Sequence, residues 1–128
     1  LNTIQSKMTN QSNVKLMLAV SDPDAEELDK FTRNLLREMK DLDVESAELV
    51  AVEDIPEEAK AFGGFLIGRL TAEVNAKNIK AILGYLRDRL GSRPIELEVE
   101  ANSKKLKVKA SSQQELLIAI QAAEKFVA

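Results

Sequence analysis

The chain has 128 residues, 45% of them apolar, and 18 basic against 21 acidic side chains give a formal charge of −3. That is material for one domain with its own core, and the balance leaves no basic footprint for nucleic acid. It contains no His and no Cys, which excludes disulfides, Ser-His-Asp and Cys-His nucleophile systems, and zinc sites built on those ligands.

No apolar run is long enough to span a bilayer and no signal peptide is visible. With Cys also absent, the expectation is a cytoplasmic domain without a cofactor. Residues 1–13 are polar, rich in Gln, Asn and Ser, and without period, so they read as a tail before a single domain over residues 14–128. Met8 is a candidate natural start, which would make Leu1 to Lys7 an upstream extension.

Val14 to Val20 alternates Val14, Leu16, Leu18 and Val20 on one face, with Met17 and Ala19 opposite. A strand apolar on both faces is expected at the centre of its sheet. Ser21-Asp22-Pro23-Asp24 then announces a helix, with Ser21 or Asp22 as cap and Pro23 at the first helical position. Leu28, Phe31, Leu35, Met39 and Leu42 form its apolar stripe. Arg33, Arg37 and Lys40, towards its C-terminal end, read as complements of the helix dipole. Val44 to Val52 reads as a second strand, which makes the opening a βαβ unit with its two strands parallel. Glu53 to Lys60 is an acidic loop without the ligand spacing of a calcium site.

Gly63 to Leu90 admits several readings. Ile79, Ile82, Leu83, Leu86 and Leu90 form a helical stripe closed by Gly91. Leu66, Ile67, Leu70 and Val74 also have helical spacing, but on nearly the opposite side of a continuous helix. Either the chain breaks near Asn75 to Asn78, or one long helix carries two apolar faces. A strand is the third option, since Leu66, Leu70, Ala72 and Val74 also alternate. The break at Asn75 is the preferred reading. Phe65, Leu66, Ile67, Leu70 and Val74 are then either a partner surface or core.

Ile95, Leu97, Val99 and Ala101 alternate with Glu96, Glu98 and Glu100, and Leu106, Val108 and Ala110 with Lys105, Lys107 and Lys109. Folded over Asn102-Ser103, the run pairs Glu100 with Lys105, Glu98 with Lys107 and Glu96 with Lys109. Val99 then meets Leu106, Leu97 meets Val108 and Ile95 meets Ala110. Each cross-strand pair adds roughly 0.2–1 kcal/mol, and a slip of one residue would invert both faces. This ladder either protects an edge or offers a strand-docking surface. Ser112 to Glu115 is a capping box, opening a last helix with Leu116, Leu117, Ile120, Ala123 and Val127 as its buried stripe.

Two local patterns suggest chemistry only faintly. Gly63-Gly64-x-x-x-Gly68 lacks both the P-loop ending and the dinucleotide spacing, so the glycines read as a flexible entry or a close packing point. Ser111 and Ser112 lie near Lys109, but that lysine belongs to the exposed ladder and is not the buried base a Ser-Lys pair needs. The order β-α-β-α-β-β-α predicts an α+β domain with a four-stranded mixed sheet, a ferredoxin-like variant with a C-terminal hairpin and helix.

Glu26-Glu27-Leu28-Asp29, then Thr32-Arg33-Asn34-Leu35, then Leu42-Asp43-Val44-Glu45-Ser46-Ala47-Glu48-Leu49 carry a resemblance. With an apolar middle and a helix ending Leu83 to Leu90, the chain from Val14 to Val127 resembles the effector-associated constant component family. The resemblance implies a non-enzymatic adaptor of bacterial conflict or defence systems, linking effectors to regulators. Its partner would be an effector, a regulator or a second copy of itself, with Phe65 to Val74 as the surface. Arg69, Glu73, Lys77 and Lys80 make the middle segment more polar than in relatives, which puts a membrane-associated role in doubt. The alternative of another class is a small-ligand or nucleotide sensor using the Gly63–Gly68 turn.

Overall fold

Apolar residues at period two and at 3.6 sort the chain into strands and helices that share one buried layer. A computed structural model describes residues 13–51, 61–62 and 65–128. In chain order these form β1 (Asn13–Val20), α1 (Ala25–Lys40), β2 (Ser46–Ala51), β3 (Ala61–Phe62), β4 (Phe65–Asn75), α2 (Ile79–Leu90), β5 (Ile95–Ala101), β6 (Lys104–Ala110) and α3 (Gln113–Val127).

The main sheet has five strands in the order β2-β4-β1-β5-β6, with the two-residue β3 beside β4. Every pairing is antiparallel. This overturns the four-stranded mixed sheet expected from the sequence. The reason is Phe65–Asn75, the longest strand, which pairs on both sides and supplies the missing element. The expected parallel sense of the first two strands is present, though not as neighbours. β1 and β2 run in the same direction, but β4 lies between them, antiparallel to each.

The three helices pack on one face. Leu16 and Leu18 of β1, Leu70 and Val74 of β4, and Leu97 and Val99 of β5 meet Leu35 and Met39 of α1, Ile82 and Leu86 of α2, and Leu116 and Ile120 of α3 in one core. β1 is central, as its sequence implies.

Helix α1 starts two residues later than expected. Asp24 is its cap, accepting from the Glu26 and Glu27 amides at 3.0 and 3.2 Å, while Asp22 accepts from the Asp24 amide at 2.8 Å. Pro23 therefore precedes the cap, and two nested side-chain turns set the helix entry. The break at Asn75 is where β4 ends. Asn75 Oδ1 accepts from the Lys77 amide at 2.9 Å, and α2 begins at Ile79. In α3 the capping box forms, with Glu115 N donating to Ser112 Oγ at 3.1 Å and Ser111 N to Glu115 Oε1 at 2.7 Å. Its buried stripe contains Ala119 in place of Leu117, which is exposed.

Candidate functional site

Among the described residues, no helix covers the second face of the sheet. Backbone register arranges its side chains in rows. Glu48, Thr71, Met17, Glu98 and Lys107 form the middle row across β2, β4, β1, β5 and β6. Ser46, Glu73, Lys15, Glu100 and Lys105 form a second, and Arg69, Ala19, Glu96 and Lys109 a third. Met17 stands at the centre, 44% exposed. A shallow depression of about 270 Å³ beside it is bordered by Lys15, Thr71, Glu73, Glu98, Glu100 and Lys105.

The electrostatics of this face follow from the hairpin. All six expected cross-strand pairs form. Asn102 and Ser103 adopt φ of 55° and 64° to close the two-residue turn, the left-handed geometry whose twist matches the strands. The ammonium groups do not all choose the residue directly opposite. Lys109 reaches Glu96 at 3.4 Å and Lys105 reaches Glu100 at 3.6 Å, but Lys107 leans diagonally to Glu96 at 3.8 Å. All three lysines remain largely exposed, so each keeps donors for another acceptor.

A second polar cluster joins α1 to α2 on the helical side. Glu38 Oε1 accepts from Tyr85 Oη and from Arg89 Nε, both at 2.6 Å, and Glu38 Oε2 from an Arg89 terminal nitrogen at 3.2 Å. Arg89 and Arg93 lie over the Phe31 ring at 5.3 and 4.1 Å, and Arg93 also binds Asp22 at 3.0 Å. The Arg89 bond, then the Tyr85 bond, hold the Glu38 carboxyl below its ordinary value. Burial first, and the bond to Glu38 second, push the Tyr85 hydroxyl up to about 12. Every charged group in the cluster has a partner, and the arrangement pins two helices together.

The residues singled out in the middle segment separate. Leu70 and Val74 are core, with Val74 0% exposed. Leu66 is buried outside the central cluster, Ile67 is half-buried against it, and Phe65 is exposed. They do not form one surface stripe, because a strand sends alternate residues to opposite faces. Gly68 has φ +80°, and a Cβ there would lie 2.5 Å from the Val20 carbonyl oxygen, so this glycine is a packing point of β4 against β1. Gly63 and Gly64 lie outside the described residues, as do residues 1–12 and the whole of the acidic loop Glu53 to Lys60. Ser112 is occupied as a cap and Lys109 by Glu96, so no Ser-Lys pair forms there.

The open face was missed because Met17 and Ala19 are apolar and read as a second buried side. The informative signal was their neighbour in phase, Lys15, which a buried face would exclude. No cluster of three or more carboxylates placed to hold a metal ion occurs among the described residues, and no helix among them is long and apolar enough to cross a membrane. Comparison of the chain with known protein families, with curated proteins and with solved structures finds no match in any of the three.

Proposed function

We propose that this protein is a non-enzymatic protein-interaction adaptor that self-associates through the open face of its sheet. The role is the one implied by its resemblance to effector-associated constant components of bacterial conflict systems. The observation that carries the reading is Met17, exposed at the centre of the middle strand and ringed by charges of both signs. An apolar centre within a polar rim is the usual anatomy of a protein interface.

The register supports a second copy as the occupant. Rotation about a two-fold axis along β1 sets Met17 against its own copy. In the same row Lys107 then lies over Glu48, and in the next Arg69 lies over Glu96. The remaining row sets Lys15 over its own copy and Glu73 over Glu100, so its charges match only crosswise, each Lys15 lying between the Glu73 and Glu100 of the other copy. A two-fold interface needs this self-complementarity.

Light scattering over a concentration series tests the reading. The expected result is a dimer that Met17→Glu converts to a monomer with an unchanged circular dichroism spectrum. A strict monomer at millimolar concentration, or a dimer indifferent to Met17→Glu, overturns it.

A further inference from the structure

The geometry points to a second docking site, a groove between the free edge of β6 and helix α3 that accepts an extended segment alternating apolar and acidic residues from another protein. Among the described residues β6 pairs only with β5. Alternate backbone N–H and C=O groups on its outer side are therefore available to another strand.

Beside that edge the sequence leaves apolar surface where solvent-facing residues belong. Ile118 is 62% exposed, and with Val108, Ala119 and Ala122 it lines a groove of about 230 Å³. Lys109 and Glu115 also line it, and the Glu115 carboxylate is already bound by the Ser111 amide. A strand laid along β6 sends one set of side chains onto Leu106, Val108 and Ile118. Its other set falls beside Lys105, Lys107 and Lys109 on the open face. The groove thus asks for apolar residues on one side of the incoming strand and carboxylates on the other.

Charge decides between occupants. Antiparallel pairing of β6 with its own copy would set one lysine column beside another, and like charges directly opposite are unfavourable. An acidic strand continues the order already present, since Ile95 to Ala101 has the required alternation and satisfies the same lysines from the inner side. Strand addition of this kind draws affinity from main-chain hydrogen bonds and specificity from alternate side chains.

The probe is a fluorescent peptide copying residues 95–101, Ile-Glu-Leu-Glu-Val-Glu-Ala, titrated with the full chain and followed by anisotropy. Binding is expected to weaken at least about tenfold with Ile118→Glu, which alters an exposed helix position. It should also weaken when salt rises from about 0.05 to about 0.5 M. A peptide with Lys for Glu, and one N-methylated at alternate amides, are expected not to bind. The Met17→Glu variant is expected to bind the peptide normally, which separates this site from self-association. No binding at about 1 mM peptide, a weak limit for specific recognition, overturns the proposal. So does binding that survives N-methylation or Ile118→Glu.

Discussion

The Tyr85 hydroxyl donates to Glu38 Oε1 at 2.6 Å, joining α2 to α1 through the same oxygen that accepts from Arg89. Tyr85 is the chain's one tyrosine, so its ionisation is read directly from tyrosinate absorbance. The folded protein should titrate at about 12, against about 10 in denaturant. A raised folded pKa means this contribution to stability is complete below about 10 and is lost as pH rises towards the folded value. Chemical denaturation between these limits should show stability falling with pH, and Tyr85→Phe should flatten that slope. A folded-state midpoint near 10 would show that neither burial nor the bond to Glu38 acts on this hydroxyl in solution.

At the acid end the sign reverses. Glu38 has a lowered folded pKa, so its contribution is present above the unfolded carboxylate range and is lost as pH falls through the folded value. Glu38→Gln should give a shallower acid limb in the stability profile. Its effect at neutral pH should be modest, because the carboxylate is partly exposed.

Gly68→Ala should destabilise the domain by roughly 2–4 kcal/mol, combining left-handed strain with a collision against backbone. Its Cβ would sit 2.5 Å from the Val20 carbonyl oxygen and 2.9 Å from Leu28 Cδ2. The first contact cannot be relieved by turning a side chain. A urea midpoint equal to that of the native chain would refute this account of Gly68.

Leu70 and Val74 are expected to behave as core. Leu70→Ala should cost about 2–5 kcal/mol. Leu70→Asp and Val74→Asp should abolish cooperative unfolding, because each buries a charge without a partner. If either aspartate variant keeps a native spectrum and melting transition, β4 is not packed as described.

Asp24→Ala should cost about 1 kcal/mol by freeing two amides at the first turn of α1. Asp22→Ala removes the acceptor of the Asp24 amide and the partner of Arg93 together, so its cost contains both terms. Thermal melts of both single variants and the double variant measure the coupling.

Much of this fold was legible because local chemistry decided it. The Glu and Lys columns of β5 and β6 fix their register without help from the rest of the chain. Helix α3 announces its start through Ser112 and Glu115, and the buried stripe of α2 occupies the five predicted positions. β4 was different. Leu66, Leu70 and Val74 satisfy a helical spacing and a strand alternation at once, and Gly68 interrupts the apolar phase. Two partners distant in sequence settle the matter, and no local signal reports them. The candidate site suffered the same loss, since Met17 becomes a surface centre only when β4 and β5 flank β1 with charged residues.

The position of β4 bears on how the chain comes together. β1 and β2 are linked through α1, yet the gap between them is filled by a strand that follows both in sequence. A nascent chain emerging as far as β2 holds two strands with no hydrogen-bonding partner for each other. Its sheet must wait for Phe65–Asn75, whereas β5 and β6 can zip locally. During synthesis the N-terminal third is therefore the vulnerable part, with its apolar strand β1 unpaired until the middle of the chain arrives.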